Sequence, residues 1–88
     1  MAVYNQVETL FGENRSLYIR LNDVEASNHG VSAAARFRGF NSLTAFQDGR
    51  PFMWERVIEF PADISGNLWQ QAYAALKSDP AFADAEDA

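Results

Sequence analysis

Few residues in this chain could do chemistry, and the spacing of each group argues against a reaction. His29 is the only histidine, and there is no cysteine. It lies in Ser27-Asn28-His29-Gly30, a turn by composition. A single imidazole without thiolates holds zinc only if three carboxylates converge on it. Ser27 and His29 are too close in sequence to face each other as nucleophile and base within one turn. Glu55 and Glu59 are the next pair. On a strand, four residues at about 3.3 Å each put their backbones roughly 13 Å apart, too far to share a proton and long for a glycosidase pair. Gly12, Gly30, Gly39, Gly49 and Gly66 are nowhere closer than nine residues, so no phosphate-cradling loop is present. The expected protein is therefore not an enzyme, with no catalytic, metal-ligating or cofactor-binding residues.

What remains is arginine and aromatic. All six bases before Lys77 are arginines, from Arg15 to Arg56. Tyr18 and Arg20 share strand parity, as do Arg36, Arg38 and Phe40, so Tyr18, Arg20, Arg36 and Arg38 form a candidate interaction face. Glu55 and Glu59 are expected to meet Arg36 or Arg38 across the sheet. Single-stranded nucleic acid is bound on faces of this kind. The formal net charge of −5 opposes that use, and there is no RNP-type motif. Tyr, Trp and Arg serve equally as anchors of protein interfaces, and a protein partner is the expectation.

The elements that position these residues follow from periodicity. Leu68, Trp69, Ala72, Tyr73 and Leu76 fall on one stripe of a helix over residues 67–77. Asn67 is its cap, Gln70 answers three residues later, and Lys77 suits the negative end of the dipole. Before residue 64 the chain reads mostly as strands. Residues 2–11 are ambiguous between helix and strand, and their β-branched and aromatic content favours a strand. Gly12-Glu13-Asn14-Arg15 reads as a turn.

Ser16–Ala26 alternates with Leu17, Ile19 and Leu21 on one face, and Asn22-Asp23 breaks the alternation as a bulge would. In residues 31–40, Val31, Ala33, Ala35 and Phe37 form an apolar row whose alanines leave room for Trp69 or Tyr73. A short helical turn near 42–48 has Ser42 as cap and Gly49 as terminator. Residues 52–60 form the last strand, with Phe52, Trp54, Arg56, Ile58 and Phe60 on one face and Pro61 closing it. Asp79-Pro80 restarts a helical turn, Phe82 tucks back onto the core, and residues 83–88 fray as an acidic tail.

The fold class is thus α+β: an antiparallel sheet of about four strands packed by one C-terminal helix, in a single domain over residues 1–82. Eighty-eight residues, 48% hydrophobic and 22% charged, suit one globular core. No run approaches the ~20 apolar residues that span a bilayer, and no basic-then-apolar leader opens the chain, so a soluble chain, mature as written, is expected. Charge is uneven. Asp79, Asp84, Glu86 and Asp87 against Lys77 leave −3 at the end, while eight acids against six arginines leave −2 before it.

Laid out this way, the chain resembles a family of short proteins of tailed bacteriophages and prophages. The likeness lies in Met1-Ala2-Val3-Tyr4, in Ala72-Tyr73-Ala74-Ala75-Leu76-Lys77, and in Pro80-Ala81-Phe82 with the Asp-rich end Asp84-Ala85-Glu86-Asp87. It extends along the whole chain as a pattern, with matching residues over about a fifth of it. The resemblance implies phage origin and a virion or tail-assembly role in the bacterial host cytoplasm or the virion, and it carries over no functional residue. The alternative is a phage regulator that binds a host protein through its acidic surface. Edge strands in so small a sheet also favour a homo-oligomer.

Overall fold

The computed structural model describes residues 2–26, 32–63 and 65–88. His29 and the turn expected at 27–30 lie outside the described residues, as does Val31. Five antiparallel strands form one sheet in the order β4-β3-β2-β1-β5. They are β1 (Val3–Glu8), β2 (Asn14–Ala26), β3 (Ser32–Phe40), β4 (Trp54–Pro61) and β5 (Glu86–Asp87). Two helices complete the α+β fold, α1 (Leu43–Gln47) and α2 (Leu68–Ser78), with a 3₁₀ turn at Pro80–Phe82. Among the described residues, no helix is long and apolar enough to cross a membrane.

Alternation decides which side of the sheet is apolar. Leu17, Ile19 and Leu21 of β2 and Ala33, Ala35 and Phe37 of β3 are buried on one face, with Val3 of β1 and Phe60 of β4. Helix α2 covers that face with Ala72, Tyr73 and Leu76, all buried. The Tyr73 ring meets Phe37 edge-on, 5.3 Å between centroids. Tyr73 also settles a backbone group. β1 stops pairing at Val3–Ile19, so Leu21 lies past its end. The Leu21 N–H donates to Tyr73 Oη at 2.7 Å, and a buried amide that would otherwise lack a partner is satisfied. The β2–β3 register shifts between Leu21 and Asp23, where the broken alternation placed a bulge.

Local signals also set the helix ends. Asn67 Oδ1 accepts from the N–H groups of Trp69 and Gln70, and Ser42 Oγ accepts from Ala45 N–H. Gly49 ends α1 at φ 73°, a conformation that costs glycine no Cβ clash.

Several expectations are corrected. Of the two residues expected over the alanine row, Trp69 is 47% exposed and Tyr73 is the one buried in the cluster with Ala33 and Ala35. Helical side chains lean toward the N-terminus, so a residue in the first turn projects past the packed part of its helix. The β1–β2 turn spans Thr9–Glu13 instead of 12–15, and Asn14 begins β2. Pro61 lies within β4 as its last residue, not beyond it. Phe52 departs from the parity of β4. Met53 N–H donates to Gly39 O while Trp54 is the residue opposite Gly39, so two residues face one and the residues before the bulge change sides.

The tail does not fray. Phe82 is buried as expected, and Glu86–Asp87 then pairs with Val3–Tyr4 as a fifth strand. Ala88 N–H donates to Ala2 O, and Lys77 forms an ion pair with Asp87.

Candidate functional site

The second face of the sheet carries the four residues singled out by parity. Cross-strand register assembles them in rows: Tyr4, Tyr18 and Phe40; then Arg20, Arg38 and Glu55; then Asp23, Arg36 and Val57. Arg20 and Arg38 stand directly opposite each other, an arrangement that repels unless each charge is engaged. Both are. The Arg20 guanidinium lies over the Phe46 ring, 4.0 Å from its centroid. Arg38 lies over Phe52 at 4.4 Å, and its Nε donates to Glu55 at 2.8 Å. Arg36 reaches Asp23 only at 4.0 Å.

Tyr18 is not an open contact residue. It is 8% exposed, beneath Tyr4 and Phe46, because α1 lies over this end of the sheet. Phe46 closes the layer onto Phe40 at 5.1 Å. Trp69 reaches the same layer from the other helix. With Arg20, Asn22, Arg38, Phe40 and Phe46 it lines a pocket of about 160 Å³. Of the four expected residues, Arg36 is exposed, Arg20 and Arg38 are half-buried beneath their partners on the same face, and Tyr18 is its buried support.

Among the described residues, the large apolar side chains with the greatest fractional exposure lie elsewhere, at the β1–β2 turn. Phe11 is 74% exposed and Leu10 64%. The turn that holds them is well built. Gly12 N–H donates to Thr9 O at 3.0 Å, Thr9 N–H to Glu13 O at 2.7 Å, and Gly12 takes φ 81°. The buried Thr9 hydroxyl accepts from the N–H groups of Phe11 and Glu13. Leu10 N–H is tied to Met53 O at 2.8 Å. Leu10 and Phe11 therefore fill the two central turn positions, which usually carry polar residues, Pro or Gly. Beside them is an open groove of about 590 Å³ between Phe11, α1 and Pro51-Phe52-Met53. Reading residues 2–11 as one strand hid this. The available signal was two adjacent large apolar residues directly before Gly12.

Chemistry is sparse across the described residues. They contain no group of three His, Asp or Glu side chains placed to hold a metal ion. Glu55 is taken up by Arg38, and Glu59 stands opposite Ala34 instead of a cation. Two carboxyls are held below the usual range for local reasons. Asp63 accepts from the hydroxyl and the N–H of Ser65. Asp79 accepts from Ala81 N–H at the start of the 3₁₀ turn and forms an ion pair with Arg56. Burial pushes the Tyr73 phenol up. Each of these groups serves the fold. Compared with known protein families, with curated proteins and with solved structures, the chain has no significant match.

Proposed function

We propose that this protein acts by protein–protein contact and not by catalysis, as a phage-derived component of virion or tail assembly. The observation that carries the contact reading is the pair Leu10 and Phe11, exposed at the tip of a turn whose backbone is fixed by hydrogen bonds. Holding two large apolar groups in water forgoes about 25 cal/mol for each Å² that a partner could cover. A fixed presentation also lowers the ordering cost of association. Such a knob fits an apolar socket on a partner, with the groove along Phe52 and Met53 as the adjoining surface.

The phage setting rests on the resemblance of Met1–Tyr4, Ala72–Lys77 and the acidic end, which implies the host cytoplasm or the virion as its location. Protein is favoured over nucleic acid because Arg38 is paired with Glu55, Arg20 lies over Phe46, and α1 lies on the aromatic row a base would stack on. The test is photocrosslinking from position 11 in cells producing the phage, followed by mass spectrometry of the adduct and of purified virions. One assembly protein crosslinked at high yield is the expected result. No specific adduct, together with absence from virions at stoichiometric levels, would overturn the proposal.

A further inference from the structure

β5 and the segment around Ala81 cover part of the β1 edge: β5 pairs with Val3 and Tyr4, and the Asn5 amide donates to Ala81 O. β4 occupies the other edge and carries eight residues, and among the described residues no strand lies beyond it. Pro61 sits opposite Ser32 within this strand, and a residue without an N–H fits there with its nitrogen toward the open side. The bulge agrees. Met53 and Trp54 together face Gly39, which turns the amide and carbonyl of Trp54 toward β3. By alternation the main-chain groups of Glu55, Val57 and Glu59 then point out of the sheet. Beside the strand, on the α2 side, runs an open groove of about 640 Å³ lined by Ile58, Phe60, Ala74, Ala75 and Pro80.

The geometry points to a second copy of this chain as the occupant of that edge, paired β4 to β4 antiparallel about a two-fold axis at Ile58. Opposed residues in a sheet share a face, so two-fold registers centre on a residue. Centring on Val57 sets Glu55 against Glu59 twice, centring on Arg56 sets arginine on arginine, and centring on Glu55 or Glu59 opposes two carboxylates. Centring on Ile58 opposes no like charges. It places Ile58 on Ile58 at the floor of the groove, Val57 opposite Glu59 and Arg56 opposite Phe60. The outward groups then make about six main-chain hydrogen bonds.

An inward-pointing charge normally guards an edge, because pairing would bury it alone. Here Arg56 points to the α2 side but is already paired with Asp79, so that guard is neutralised. The other face supplies complementary charge. Glu59 has no cation within ion-pair distance among the described residues, and Arg36 holds Asp23 only at 4.0 Å. In the Ile58-centred register, Arg36 of each copy lies two strands, roughly 10 Å, from Glu59 of the other, across exposed Val57. Their side chains span that gap.

This inference is independent of the hairpin reading, and its test leaves Leu10 and Phe11 untouched. Sedimentation equilibrium of the full chain should show a dimer at concentrations up to about 100 µM. Val57→Pro removes an outward N–H while leaving the β3 ladder intact. It should keep the circular dichroism spectrum and melting profile of a folded monomer and weaken the dimer at least about tenfold. Glu59→Arg and Arg36→Glu should each weaken it, and the two together should restore it. A wild-type chain that stays monomeric overturns the proposal. So does a folded Val57→Pro variant that dimerises unchanged, or a charge swap that fails to restore the dimer.

Discussion

The two faces of the sheet are covered in different ways. On one, α2 lies with Ala72, Tyr73 and Leu76 on Leu17, Ile19, Leu21 and Phe37, and every one of these residues is buried. On the other, a five-residue helix covers only one end, through Phe46, and guanidiniums lie on aromatic rings in place of a full apolar layer. The first face follows from hydrophobic periodicity and holds the fold. The second follows from cross-strand register, keeps its charges near water and adds less to stability. Leu10 and Phe11 lie covered by neither helix and are the most exposed of the large apolar side chains among the described residues, which is why the proposed contact is put at that end.

The contrast can be broken from either side. Phe37→Ala should cost about 3–5 kcal/mol in urea denaturation, because it empties a fully buried site beneath Tyr73. Tyr73→Phe keeps the ring but strands the Leu21 N–H, and a loss of about 1–3 kcal/mol is expected. On the other face Phe46→Ala should cost about 1–2 kcal/mol, from half-exposed ring contacts and the Arg20 stack. Trp69→Ala should cost about 1 kcal/mol or less, since nearly half its surface is already in water. If Phe46→Ala matched Phe37→Ala, the faces would be energetically equivalent and the distinction would fail.

A smaller effect concerns acid. Asp79 is held below its ordinary value of 3.8 by Ala81 N–H and Arg56. A carboxyl depressed on folding stabilises above its unfolded pKa, and that contribution is lost as pH falls through the folded value. Asp79→Asn should therefore lower the melting midpoint near neutral pH and flatten its decline below about pH 3.8, converging on wild type in strong acid. A constant offset at every pH would mean that the carboxylate charge is irrelevant.

Much of the fold was legible because its signals are local. Asn67, Ser42 and Gly49 act on residues within one turn, and Asn22-Asp23 interrupts an otherwise regular alternation. The Glu55–Arg38 pair followed from register once the strands were placed. The misses depend on distant partners. Glu86–Asp87 is a strand only because β1 offers an unpaired edge, which nothing in an acidic tail announces. Trp69 fits the helix stripe by angle, yet whether sheet lies beneath its first turn is a tertiary fact. Leu10 and Phe11 match a strand as well as a turn until Thr9 and Gly12 fix the chain reversal.

The most direct test is the double variant Leu10→Ser/Phe11→Ser, carried through folding and assembly together. Both side chains lie mostly in water and the turn is held by Thr9, Gly12 and main-chain bonds, so the melting midpoint should stay within the ~0.5 kcal/mol expected of surface changes. Incorporation into virions, followed by mass spectrometry, should fall to background. A variant that melts like wild type and is still incorporated at wild-type levels would contradict the account.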